Sequence, residues 1–200
     1  MIEILRAADR HPIPWKNGGG QAEDIASAPP AASWDAMDWR VSRAWITASG
    51  PFSMFPGIDR TFLVADGDGV VLSPAGMAAA ALDPSLPPFV FAGDVATDCR
   101  LAGGPATAFN VMSARGRWHH RVSRHECSGS FELAATATVT LAVLLRGRVR
   151  LPGHGEPALA AGDAVRVPAG TTLGLAAEPH ASIAWVELWR AATQGPIRCG

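Results

Sequence analysis

The sequence predicts an all-β protein built as two similar barrel-like halves, and three observations carry that expectation. Short stretches alternate apolar and polar residues, turn signals separate them at near-even spacing, and one order of strand, turn, strand and Gly-Asp occurs twice. Alternation marks a half-buried strand because successive side chains point to opposite faces of a sheet.

In the first half the expected strands are Trp39 to Thr47, Arg60 to Ala65 and Ala106 to Ser113. In the second they are Thr138 to Leu145, Ala164 to Val167 and Ser182 to Trp189. Turns are expected at Asn17-Gly18, Ser49-Gly50-Pro51, Asp66-Gly67-Asp68-Gly69, Arg146-Gly147 and Pro152-Gly153. Ala75 to Leu82 is alanine-rich enough for a helix, but Ser73-Pro74 and Gly76 suit a loop and hairpin equally. The repeat places Phe91-Ala92-Gly93-Asp94 opposite Ala161-Gly162-Asp163. We therefore divide the chain into residues 1–115, expected to carry any site, and residues 116–200. Ala114 to Glu126, rich in Arg and His, should cross between the halves.

Composition narrows the function classes. The chain has 200 residues, 48% hydrophobic and 18% charged, which suits a globular core and not a disordered segment. A formal charge of −1 supplies no bulk positive field for nucleic acid or an anionic membrane surface. No apolar run approaches the ~20 residues of a membrane helix. Glu3, Arg6, Asp9 and Arg10 are unlike a secretory leader. Cys99, Cys127 and Cys199 form no C-x-x-C pair, which favours a reducing cytoplasm over a disulfide framework. Exposed sheet edges would suit a homodimer, though nothing in the sequence specifies one.

Metal chemistry has little support. The six histidines, His11, His119, His120, His125, His154 and His180, contain no His-x-His or His-Glu-x-x-His spacing. His119 and His120 should point to opposite faces of a strand, as should His120 and His125. The run Gly162-Asp163-Ala164-Val165-Arg166-Val167-Pro168-Ala169-Gly170 resembles the second cupin motif, but the metal-ligand position holds Leu173. A barrel is suggested and no metal or other cofactor is expected. No Gly-x-Ser-x-Gly elbow is present, and only His125 and Cys127 share a strand face as a nucleophile pair would.

The least ordinary run is Trp15-Lys16-Asn17-Gly18-Gly19-Gly20, followed by Glu23. Its glycines let the backbone approach a neighbour or a ligand, and its Trp, Lys and Asn could supply stacking, charge and amide contacts. No Lys-Ser or Lys-Thr follows, so it is not a phosphate loop. Along the expected strands, Arg40, Ser42 and Ala44 share a face, Arg60 shares one with Phe62 and Val64, and Asn110 shares one with Ala108 and Met112. If these faces point inward, Arg40, Ser42, Arg60 and Asn110 meet in an apolar cup. A buried guanidinium needs a partner. Glu23, Asp59 or Asp94 could serve in a structural ion pair, and a carboxylate ligand could serve in a bidentate fork.

These pieces resemble the HutD/Ves family. The matching runs are Trp15-Lys16-Asn17-Gly18-Gly19-Gly20 with Glu23 and Ile25, Trp39-Arg40-Val41-Ser42 with Ala44 and Ile46, and Gly50-Pro51-Phe52-Ser53 with Phe55, Gly57, Asp59 and Arg60. Phe91-Ala92-Gly93-Asp94 and Phe109-Asn110-Val111-Met112 follow in order, so the resemblance covers about the first 115 residues. The family usually places Asp before Phe-Asn, where this chain has Ala108. The resemblance implies a bicupin fold, two cupin-like β-barrels in one chain, without the usual metal. It also implies a binding or regulatory component of histidine utilisation whose ligand is an intermediate such as formylglutamate, formiminoglutamate or urocanate. All three carry carboxylates. On this reading Arg60 and Lys16 supply charge, Asn17 and Asn110 amide contacts, and Trp15 and Phe55 walls, with Gly18, Gly19, Glu23, Arg40 and Ser42 completing the site. The alternative is a metal-independent isomerase or hydrolase using Glu23 or Asp59 as general base.

Overall fold

Along β4 (Trp39–Ile46), Trp39 and Val41 join one apolar layer while Ala44 and Ile46 join another. That division of one strand between two cores organises the molecule, seen in a computed structural model that describes residues 1–15, 19–33, 35–153 and 158–192. In chain order the other strands are β1 (Glu3–Leu5), β2 (Ile13–Pro14), β3 (Gly20–Ala28), β5 (Gly50–Pro51), β6 (Ile58–Gly67), β7 (Val70–Pro74), β8 (Ala80–Leu82) and β9 (Phe89–Ala92). Then come β10 (Thr97–Leu101), β11 (Ala106–Ala114), β12 (Trp118–Ala134), β13 (Val139–Arg150), β14 (Leu159–Ala160), β15 (Ala164–Val167) and β16 (Thr172–Arg190). Among the described residues the only helical turn is a 3-10 turn, Ala7–Asp9. The chain is all-β, as its alternation requires.

The strands pair into three open sheets, not into hydrogen-bonded closed barrels. A six-stranded sheet runs β2-β3-β4-β11-β6-β9, a four-stranded sheet runs β5-β10-β7-β8, and a second six-stranded sheet runs β1-β15-β13-β16-β12 with β14 on β13. The first two face each other across a layer that includes Phe62, Val64, Leu72 and Phe91. The third closes on its own layer, with Leu144, Val165, Leu173 and Trp185. A further layer joins the halves: Val41, Phe109 and Val111 meet Leu141, Val143 and Val186, and Trp39 stands edge-on to Trp118 at 6.4 Å. Stacking two sheets back to back leaves the first six-stranded sheet buried on both faces, which explains why β11 is almost entirely buried.

Residue 115 falls in the turn between β11 and β12. The chain's opening strand lies beyond that line in space, because β1 pairs antiparallel with β15 through Glu3–Arg166, Ile4–Val165 and Leu5–Ala164. The Arg- and His-rich crossing segment begins the 17-residue strand β12, which pairs along its length with β16. It reads as polar because it is a sheet edge, and charged side chains on an edge discourage pairing with other chains. Arg146-Gly147 is not a turn: β13 runs straight through it, with irregular register against β16 on either side. Ala75 to Leu82 forms the turn and returning strand of the β7–β8 hairpin, not a helix. No helix among the described residues is long and apolar enough to cross a membrane.

Candidate anion-binding site

Four neighbouring strands, β3, β4, β11 and β6, turn polar residues toward the layer they share with the four-stranded sheet. Register sets the arrangement. Asp24 opposes Ser42, Ser42 opposes Asn110, and Met112 stands between Arg40 on one side and Arg60 on the other. Two strand spacings therefore separate the Arg40 and Arg60 backbones, about 10 Å.

Arg60 is the unusual member. It is only 5% exposed, and its Nη2 donates to Asn110 Oδ1 at 3.2 Å. Its guanidinium lies 4.9 Å from the centre of the Phe91 ring, 5.2 Å from Phe52 and 5.4 Å from Phe55. Its Nε is buried without an acceptor, and no carboxylate of a described residue pairs with it. Ring faces attract the cation but cannot match a carboxylate. Burial lowers the Arg60 pKa to about 10, so the side chain still carries its charge near neutrality. Burial pushes the thiol of nearby Cys99 up to about 11, against the attraction of Arg60.

The other residues singled out from the sequence divide into four groups. Ser42 and Asn110 lie in the cup, each 6% exposed, and Phe55 walls it. Trp15 stands edge-on to Phe52 at 6.4 Å. Gly19, whose carbonyl accepts from Thr47 N at 3.0 Å, joins Trp15, Ser49 and Phe52 around a cavity of about 270 Å³. Gly20 makes the close approach expected of the glycine run, since a Cβ there would collide with the Trp45 carbonyl oxygen. Lys16, Asn17 and Gly18 lie outside the described residues, as does His154.

Glu23 and Arg40 play other parts. Glu23 faces the seam between the halves, 4% exposed, where its Oε1 meets Arg43 Nη2 at 3.0 Å and Arg10 Nε at 3.5 Å. It stands on the opposite face of β3 from the cup. Arg40 does face the cup, but Asp24 clamps it through two bonds of 2.5 Å. Asp59 also points away from Arg60 and binds Arg115 at the surface, together with Asp94. Hydrogen bonds from Arg115 pull the Asp94 carboxyl down to about 2. The two carboxylates named as general bases thus both stand outside the cup.

Asp24, Phe52, Phe91 and Cys99 are the residues of this site that sequence reasoning did not select. Asp24 follows Glu23 directly, so one of the two had to face inward. A register irregularity between Asp24 and Ala26 turns both Ile25 and Ala26 to the seam. No alternation rule locates such a bulge.

Behind the cup, His120 on β12 ties the halves together. Thr61 Oγ1 lies 2.8 Å from its Nε2 and Ser113 Oγ 2.7 Å from its Nδ1. Burial lowers its pKa to about 4, with Asp59 opposing that shift and His119 adding to it. The unfolded ring titrates near 6.5 and the folded ring lower, so the unfolded chain binds the extra proton first. Stability should be intact above about pH 6.5 and fall by about 3 kcal/mol as pH drops toward 4. Denaturant unfolding of wild type and His120→Gln at a series of pH values checks this, the variant losing most of the slope.

Among the described residues no group of three or more His, Cys, Asp or Glu is placed to hold a metal. Leu173, at the cupin ligand position, is 1% exposed in hydrocarbon.

Comparison with known proteins matches residues 7–185 to HutD. The chain belongs to the HutD family. An uncharacterized Pseudomonas putida protein in the hutC 3' region is 34% identical over 172 residues, which are 78% of this chain and 90% of that one. The structure of HutD from Pseudomonas fluorescens SBW25 superposes with a TM-score of 0.78 at 31% identity, covering 96% of this chain and all of that one. These two relatives link the family to the histidine-utilisation locus. The bacterial pirin YhhW from Escherichia coli, at 10% identity and a TM-score of 0.68 over 96% of this chain and 100% of its own, shares the cupin-like fold alone.

Proposed function

We propose that this HutD-family chain is a bicupin, two cupin-like units in one chain, whose first unit binds a small carboxylate at Arg60. One observation carries the reading. Arg60, a residue only 5% exposed, has aromatic walls and one amide contact around its guanidinium but no carboxylate among the described residues. A ligand carboxylate would accept from its unmatched donor edge, and a charge-assisted fork is strongest where water is excluded. The P. fluorescens HutD structure is of a formate condition, and formate is the smallest carboxylate.

The family's link to the histidine-utilisation locus supports, as ligand, an intermediate such as formylglutamate, formiminoglutamate or urocanate and, as role, regulation of that pathway. The cavity beside Phe52 and Trp15 offers room for the remainder of such a molecule. The enzyme alternative loses the bases named for it, because Glu23 and Asp59 face elsewhere and Asp24 is committed to Arg40. Titration calorimetry with urocanate and with formylglutamate tests the reading. A saturable heat with at least one is expected, and no heat with either acid from folded protein would end it.

A further inference from the structure

A second cavity, of about 110 Å³, lies at the seam between the two halves. Its floor is hydrocarbon from both halves, including Ile25, Phe109 and Val143. Its rim is polar. Arg43 gives Nη2 to Glu23 and lies over the Trp45 ring at 4.5 Å, which leaves its buried Nε without an acceptor. Asp66 lines the same cavity, and its carboxylate pairs with no described residue.

Register places these two groups on either side of one strand. Thr107 on β11 opposes Trp45 on β4 and Asp66 on β6. Arg43 opposes Phe109, two residues along β11 from Thr107, so Arg43 and Asp66 flank β11 with backbones two strand spacings across and two residues along, roughly 12 Å apart. The roof is bare backbone at Gly162, where φ is +95° and a Cβ would collide with the Arg43 guanidinium. The site has one unmatched N–H donor of a cation, one unpaired anion, and an apolar floor between them.

We propose that this cavity binds a small α-amino acid of about alanine size. The ligand carboxylate accepts from Arg43 Nε, its ammonium donates to Asp66, and its side chain rests on Ile25 and Val143. A lone anion would face the Asp66 charge and a lone cation the Arg43 charge, whereas a zwitterion satisfies both. An apolar cavity of about 150 Å³ accepts a six-carbon ring, so one of about 110 Å³ takes no more than about six non-hydrogen atoms, the number in alanine. The site is separate from the cup of Arg60 and stands whether or not that reading holds.

The test is an amide NMR titration of the full chain with L-alanine, propionate and ethylamine, each to about 20 mM, above a millimolar Kd. L-alanine should shift the amides of Asp66, Thr107 and Gly162 saturably. Propionate and ethylamine should bind there at least about tenfold more weakly, and Asp66→Asn should cost L-alanine a similar factor. Asp66 is exposed and lies outside the ion pairs, so this variant keeps the fold. Shifts at Asn110 report the other site and are read separately. The proposal fails if L-alanine leaves the seam amides unmoved, if propionate binds there as well as L-alanine, or if Asp66→Asn binds it as wild type does.

Discussion

Arg60→Met is expected to stabilise the unliganded protein while strongly weakening carboxylate binding. The two effects have one cause. In the free protein the Arg60 charge is almost fully removed from water and has only ring faces and the Asn110 amide to offset that cost. Replacing a buried ionic group by hydrocarbon of similar volume is neutral or stabilising by about 1–4 kcal/mol. From this must be taken roughly 1 kcal/mol for the Asn110 oxygen that loses its donor. A bound carboxylate reverses the balance, and deleting its partner should weaken binding by about 2–5 kcal/mol. Urea unfolding together with calorimetry separates the outcomes. A lower unfolding midpoint with binding retained would make Arg60 a structural residue and remove the site.

The second large effect is expected at Glu23. Its carboxylate is 3% exposed and is shared by Arg10 and Arg43, both mostly buried. Burial lowers the Arg10 pKa, and Glu23 is the largest influence raising it again. Arg10 also donates to the Gly162 carbonyl, while Asp163 accepts from Arg6 and from the Ala7 backbone at 2.9 and 2.8 Å. This network fastens the chain's first ten residues across the seam. Glu23→Gln leaves two guanidinium groups facing each other with only the weaker influence of Asp163 and Asp9 on Arg10 to offset them, which should cost about 3–5 kcal/mol. For a chain of this length that is a fall in melting temperature of about 10 °C. Adding Arg43→Gln should recover part of the loss. A fall below about 1 kcal/mol would show that solvent screens the cluster and that the seam is held by hydrocarbon alone.

Much of the fold was legible without coordinates because strand alternation is a local property. Trp39 to Thr47, Ala106 to Ser113 and Ala164 to Val167 announce their two faces by residue type, and the structure has strands at Trp39–Ile46, Ala106–Ala114 and Ala164–Val167. The face that each of Arg60, Ser42 and Asn110 occupies on its own strand was legible for the same reason, and the structure brings the three faces together. The glycine run signalled close approach, and Gly20 makes one. β12 was harder, because a long polar edge strand lacks the apolar period that marks a buried one.

The order of residues on each strand was enough to determine an all-β chain and which residues share a face with Arg60 on its own strand, since a period of two assigns each side chain to one of two faces. What lies beyond each face is a non-local fact. Only the tertiary structure decided that Glu23 belongs to the seam and Asp24 to the cup, because the pairing of β3 with β4 sets Glu23 opposite Arg43 and Asp24 opposite Ser42. Likewise, only long-range pairing carries β1 across to β15, brings Arg10 within reach of Gly162, and places Asp66 beside the cavity that Arg43 rims.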